Sequence, residues 1–303
     1  MVLLVMVMLS VAFFSLIERK ILSLIHYRKG PNKVSISGLL QPMADAMKLI
    51  SKDDAPVSWS NKSLYYLSPV FMIFLSLVSW IVYPSVWGMG GQYHAFLLMI
   101  IILGLSVYGL MMSGWSPNSV YSVLGSIRAI AQSLSYEVVM SFVFLSVVVV
   151  VSSLSFSGFF RLNPTGLGLS ILPLVLIMVF ALIAELNRSP LDLAEGESEL
   201  VSGYSVEYGG AMYTILFLSE NIMIFFSSVI LTFFFFSDLS SLAGGAMITT
   251  WSCVFCLIRG ALPRIRYDKL MVICWEIILP TTLALFNMVG VLSIMSDMIS
   301  SYI

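Results

Sequence analysis

From Ser63 to Ile127 the chain carries no Asp, Glu, Lys or Arg, and most of that run is apolar. Similar charge-free stretches cover 1–17, 138–160, 162–184, 221–237, 239–258 and 277–296. A soluble domain of ordinary composition carries roughly 25% charged residues, whereas this chain of 303 residues carries 10% and is 59% hydrophobic. Its mean hydropathy is +1.00. Long continuous apolar runs fit membrane helices of about 20 residues each and not the short alternating strands of a barrel. The formal net charge of −1 gives no basic surface for nucleic acid.

The 63–127 run divides at Pro84–Gly88 and Gly90–Gly91, which are turn signals. Eight helices are expected, near 1–25, 64–84, 94–113, 138–157, 168–186, 211–236, 244–262 and 277–297. The fold class is all-α: a polytopic membrane protein forming a single membrane domain over 1–303. The opening MVLLVMVML has no basic segment before it, so it is expected to enter the first span directly and not to act as a cleaved signal or Arg-rich transit peptide.

Eight spans place the segments 18–63, 114–137, 185–210 and 259–276 on one face. They hold fourteen of the fifteen Lys and Arg residues; Arg161 alone lies opposite. The positive-inside rule makes that face cytoplasmic or matrix and puts both termini on the other. The long polar segments all lie on this face, which suggests a docked partner.

One segment on the positive face is acidic. Between Glu185 and Glu207, six acids (Glu185, Asp192, Glu195, Glu197, Glu199 and Glu207) accompany the single base Arg188. Ser189-Pro190-Leu191-Asp192 has the form of a helix start, with Ser as cap and Pro in the first turn. Glu195 and Glu199, four apart, would share a face. Close carboxylates in a low dielectric hold protons more tightly, which suits proton exchange near neutral pH. A calcium loop would need a twelve-residue pattern with a central glycine, and the spacing lacks it.

Single acids inside or at the edge of spans add to this. Glu137 is placed at the opening of the fourth span, where a carboxylate also suits a helix N-terminus. Glu207 opens the sixth span and Glu220 follows thirteen residues later, about 20 Å along a helix. An ionisable group at that depth marks a proton or ion path by default, with a satisfied structural carboxylate as the plainer alternative. In the first polar segment Leu39, Met43, Met47 and Ile50 recur at helical spacing, with Asp45, Lys48 and Lys52 on another face. This is an amphipathic helix in the interface plane. It either lies on lipid or roofs an amphiphilic cavity with Asp45 turned inward. Arg259, Arg264, Arg266 and Lys269 follow the positive-inside rule or pair with the acidic segment.

Redox motifs are missing. His26 and His94 fall on opposite faces, Cys253 and Cys256 form a lone CxxC inside an apolar span, and neither GxGxxG nor GxxxxGK[ST] occurs. No metal ligands and no residues for electron transfer are expected, so redox chemistry would come from a partner.

ERK at 18–20, RKGPN at 28–32, GLLQPMADAMKL at 38–49, SYEV at 135–138, ELNRSPLDLAEGESELVSGYSVEYGG at 185–210 and LPRIRYDKLM at 262–271 together resemble the subunit 1 family of mitochondrial NADH–ubiquinone oxidoreductase, respiratory complex I. The resemblance runs from the first span to the eighth. It implies a multi-pass subunit of the mitochondrial inner membrane, with termini toward the intermembrane space, at the junction of the membrane and peripheral arms. It implies a tunnel for ubiquinone, with iron–sulfur clusters and FMN held by partner subunits and no cofactor in this chain. Partners would be other membrane and peripheral iron–sulfur subunits, ubiquinone and lipids. The family's tunnel positions would fall on Glu18, Arg19, Arg28, Asp45, Phe217, Glu195, Glu197 and Glu199. Its proton path would fall on Glu137, Glu185, Glu207 and Glu220. Two positions depart from the family pattern: Asn221 follows Glu220 where Tyr is frequent, and Glu276 follows Trp275 where Lys is common. The competing reading from the same acids is a self-contained proton- or sodium-coupled secondary transporter. A purely structural anchor is a third.

Overall fold

The computed structural model describes residues 2–54, 56–83, 94–155, 172–192, 203–235 and 242–302. Among these the regular elements are all helical. Helix α1 is Val2–Ile25, α2 is Gln41–Ile50, α3 is Lys62–Ser79, α4 is Ala95–Trp115 and α5 is Val120–Val151. Helix α6 is Leu172–Glu185, α7 is Gly210–Phe235, α8 is Leu242–Ala261, α9 is Tyr267–Val272 and α10 is Leu279–Tyr302. A π-helical stretch, Ile273–Ile278, joins α9 to α10 without a break.

Five segments have the length and apolar composition of a membrane crossing: Lys62–Val82, Ala95–Trp115, Val120–Val151, Gly210–Phe234 and Tyr267–Met295. Helix α6 is apolar but shorter. Helices α1 and α8 have 24 and 20 residues, about 36 and 30 Å at 1.5 Å per residue. The eight expected helices are thus each represented, with two shifted starts.

The first shift is α5. It starts at Val120, so most of the segment expected as loop 114–137 is helix. Glu137 does not open this helix; it lies seventeen residues inside, about 26 Å from the start. Ser and Gln made the segment read as a polar loop, but Ser122, Ser126, Gln132, Ser133 and Ser135 are buried. The serine hydroxyls return to carbonyls three or four residues back, as Ser126 does to Val123 O at 2.9 Å and Ser135 to Ala131 O at 2.7 Å. The second shift is the last span, which begins at Tyr267, ten residues before the expected start.

The Ser189–Asp192 pattern forms a turn, with a cis Ser189–Pro190 bond, and no helix begins there among the described residues. The helix expected to follow falls on residues outside the described ones, and two carbonyls of the turn meet tertiary donors. Pro190 O accepts Ile265 N–H at 3.1 Å, and Leu191 O accepts Gln132 Nε2 at 2.7 Å. The turn signals at 84–91 and Arg161 lie outside the described residues.

Helix α7 is central, packing on α1, α2, α3, α6 and α8; α4 and α6 both pack on α5, and α10 covers α5 and α6. Phe14, Phe96, Phe144, Met178 and Leu182 are fully buried at these seams. In lipid, such packing depends on close fit and not on apolar transfer, so small residues matter. Gly125 lets α5 touch the backbone of Gly203, and at Gly104 a Cβ would strike the Glu137 carboxylate.

The ends expected on one face meet there. Asn61 N–H bonds Ser116 O at 3.0 Å, Asn118 Nδ2 bonds Trp59 O at 2.9 Å, and Asp54 Oδ1 accepts Ala211 N–H at 3.0 Å. Helix α2 lies beside α1 and α7, with Leu39, Met43, Met47 and Ile50 exposed. An outward apolar stripe is what an interfacial helix presents to lipid.

Candidate functional site

Two cavities lie side by side in this bundle, with Arg188 at the border. The larger is enclosed by α3, α4, α6 and α7 and has about 740 Å³ of empty space, counting the open solvent it includes. Its walls are mostly apolar, among them Leu75, Ile102, Met223 and Phe226, and its polar groups include Glu185, Asn187, Tyr204 and Glu220. The smaller, about 350 Å³, lies between α1, α6, α7 and α8 and holds Glu18, Arg188 and Arg259. Leu186 lines both.

The local chain explains how Arg188 reaches this position. Asn187 adopts a left-handed conformation (φ 48°) just after α6 and turns the chain off the helix axis. Gln132 on α5 clasps the turn from both sides, donating to Ala184 O and to Leu191 O, each at 2.7 Å. The guanidinium is thereby set against α1 and α7. Its Nη1 donates to Glu18 Oε1 at 3.0 Å, and its Nη2 donates to Asn221 Oδ1 at 2.9 Å. Glu220 Oε2 is 4.0 Å from the same Nη2. Arg259 of α8 also donates to Glu18, whose side chain is 8% exposed. Two guanidiniums on one buried carboxylate offset its loss of hydration. Glu220 receives a hydrogen bond from the Tyr204 hydroxyl.

The carboxylates continue beyond Glu220. Glu185 and Glu220 line the same cavity. Glu137 lies close enough to act electrostatically on Glu185 and rests against Gly104 of α4. Glu185 Oε2 and Asn187 Oδ1 are buried without a protein hydrogen-bond partner, and both residues are cavity walls. Such atoms are rare in folded proteins and call for an explanation.

Glu207 precedes α7 and is only partly buried; its carbonyl accepts the Tyr65 hydroxyl at 3.2 Å. The next residue anchors it. Tyr208 stacks on Tyr65 with centroids 4.5 Å apart, and its hydroxyl lies 2.8 Å from Ser68 Oγ and 2.7 Å from Ser116 Oγ. Burial pushes the Tyr208 phenol up from its ordinary range.

The expected tunnel residues divide into two groups. Glu18 sits in the buried cluster. Arg19 and Asp45 form a more exposed pair between α1 and α2, at 2.5 Å, with Gln41 Nε2 on the second Asp45 oxygen at 2.9 Å. Asp45 is therefore turned toward α1, beside the lipid-facing stripe of α2. Arg28 is exposed just past α1. Phe217 stacks on Tyr213 along α7, at 6.5 Å. Glu195, Glu197 and Glu199 lie outside the described residues.

Sequence reasoning passed over Arg188, Tyr204, Asn221 and Gln132 as site residues. Arg188 was visible as the single base among six acids. Asn221 was visible as an amide beside a mid-span acid. Tyr204 and Gln132 gave no pattern of their own.

Comparison with known proteins places the chain in a family. A family model described as NADH dehydrogenase matches residues 1–290. The chain is 45% identical over 280 residues to NADH-ubiquinone oxidoreductase chain 1 of Apis mellifera ligustica, covering 91% of this chain and 90% of that one. It is 42% identical over 275 residues to the protein of that name from Mytilus edulis, covering 90% of each. With the Aedes aegypti protein of that name it shares 42% over 294 residues, 96% of this chain and 94% of the other. This polytopic helical chain belongs to the NADH dehydrogenase family.

Proposed function

We propose that the chain is the quinone-chamber subunit of a proton-translocating NADH–ubiquinone oxidoreductase in the mitochondrial inner membrane, with its polar face toward the matrix. The observation that carries this reading is the continuous charged seam. It runs from Glu18, Arg188 and Arg259 through Asn221 to Glu220, and across the cavity that Glu220 shares with Glu185 toward Glu137, within a largely apolar bundle. Intramembrane carboxylates are costly and are kept where protons or ions move.

Ubiquinone is the substrate in this reading. Its apolar tail suits the outward stripe of α2 and the aromatic side of α7 at Phe217, and its carbonyl headgroup suits the Arg19–Asp45 pair at the mouth. Electrons arrive from iron–sulfur clusters, upstream of them FMN, in partner subunits. Reduction of the quinone takes two electrons and two protons, and the change in charge biases the acid–guanidinium cluster beside it. The cluster has two arrangements open to it, since one Arg188 nitrogen lies near both Asn221 and Glu220. A shift between them transmits the quinone event to Glu185 and Glu137. Glu207, whose carbonyl meets Tyr65 near the start of α3, serves as the entry to the path.

A photoreactive ubiquinone analogue, used on the assembled enzyme, tests the first half. The expected result is labelling of α1, α2 or the Phe217 region, competed by ubiquinone. Absence of label there, together with proton or sodium transport by the purified chain alone in liposomes, would contradict the proposal and favour a self-contained transporter.

A further inference from the structure

We infer that Asn221 is a positioning residue that holds the Arg188 charge on Glu18 and off Glu220. This deepens the reading of Glu220 as a proton-carrying group and rests on it. The geometry is specific. Asn221 is fully buried. Its Nδ2 donates to the Phe217 carbonyl at 3.0 Å, one turn back on α7. That bond fixes the amide plane and leaves Oδ1 facing outward from the helix. Oδ1 accepts Arg188 Nη2 at 2.9 Å. The Glu220 carboxylate is 4.0 Å from that same nitrogen, beyond hydrogen-bond reach. Asn221 and Glu220 therefore compete for one guanidinium nitrogen, and the amide holds it.

The competition has a chemical consequence. A buried carboxylate in direct bidentate or short contact with a guanidinium is committed to that pair. Glu220 instead takes its short bond from the neutral Tyr204 hydroxyl and opens onto the larger cavity beside Glu185. Arg188 meanwhile shares Glu18 with Arg259. The amide thus divides a charge-paired carboxylate, Glu18 in the smaller cavity, from one held by a neutral donor, Glu220 in the larger. The charged groups that act on Glu220 are Arg188, at 4.0 Å, together with Asp192 and Arg259. One neutral side chain is enough to decide which acid Arg188 serves.

The test replaces Asn221 by Leu, which keeps the branched shape and removes the acceptor, in the assembled oxidoreductase. Arg188 Nη2 is then expected to close onto Glu220, from 4.0 Å to hydrogen-bond distance, in a cryo-EM map of the variant. NADH:ubiquinone turnover is expected to fall about tenfold, the size of one charge-assisted hydrogen bond, with the KM for ubiquinone unchanged. Asn221→Asp, which keeps an acceptor on Nη2, should retain the Arg188 position. The double variant Asn221→Leu with Glu220→Gln should turn over no more slowly than Glu220→Gln alone, because no carboxylate remains to be captured. Additive losses in the double variant, or an Arg188 that stays off Glu220 in Asn221→Leu, would overturn the inference. If the leucine variant does not assemble, Asn221→Ala removes the acceptor without bulk and is read in the same way. A Glu220→Gln enzyme with full turnover would instead overturn the relay reading of Glu220, while the map would still decide where Arg188 rests.

Discussion

Two acid–guanidinium clusters start from neighbouring faces of α1, and they differ in surroundings more than in chemistry. Arg19 and Asp45 meet at 2.5 Å with side chains 48% and 31% exposed. Glu18, one residue before Arg19, meets Arg188 and Arg259 with its own side chain only 8% exposed. Adjacent residues on one helix thus face two environments. The outer pair is screened by solvent and headgroups, where an ion pair contributes little. The inner cluster lies where a lone charge is expensive, so each member depends on the others. Exposure, and not chemistry, separates a weakly held pair from a cluster whose members cannot be removed singly without cost.

The largest expected effect comes from breaking the inner cluster. Arg188→Leu leaves Glu18 with Arg259 alone and takes the guanidinium away from Asn221 and Glu220. The expected cost is about 3 kcal/mol, toward the low end for a broken buried pair because Arg259 remains. It would be read as a fall in the amount of intact complex on native gels. Arg19→Leu, the matched change in the outer pair, should leave that amount unchanged. Equal losses from both would remove the distinction.

A second test works on the path without touching a charge. Gly104 is where the Glu137 carboxylate rests on α4, and a Cβ there collides with it. Gly104→Ala should displace Glu137 at a cost of roughly 1–3 kcal/mol, the usual range for overpacking, and lower turnover in the complex that still assembles. Gly290 has open space around it, so Gly290→Ala is the matched control and should change neither quantity.

The smallest effect belongs to the outer pair itself. Asp45→Asn should change stability by less than about 1 kcal/mol. Its expected signature is a raised KM for ubiquinone, with turnover at saturating ubiquinone unchanged. A fall in turnover with an unchanged KM would move Asp45 from the mouth into the acid path.

Much of this was legible in the residues. Charge-free runs gave the eight helices, and the spacing of Leu39, Met43, Met47 and Ile50 gave α2, because apolar periodicity reports directly on environment. The start of α5 was misread because Ser and Gln are polar in water, while inside a bundle Ser closes its hydroxyl onto its own helix and Gln132 clasps a neighbouring turn. Ser189–Asp192 has the letters of a helix start, and two of its carbonyls also meet Ile265 and Gln132. Those partners are distant in sequence and leave no local trace. The acids of the path stood out because a charge in an apolar run is conspicuous. Their partners did not, since Tyr204 and Asn221 become significant only when the folded chain brings them to Glu220 and Arg188. The departure at Asn221 gained its meaning in the same way: the amide is the acceptor that fixes Arg188.

The proposal that the inner carboxylates carry protons has a direct measurement. Glu207→Gln and Glu220→Gln each keep side-chain size and remove the acid, so each can be placed in the assembled enzyme and assayed for NADH:ubiquinone turnover and for protons moved per electron pair. The account predicts normal assembly with turnover down by about a hundredfold for Glu220→Gln, the lower range for loss of a proton-transfer group, and a clear loss for Glu207→Gln. Full turnover and full proton stoichiometry in both variants would contradict it.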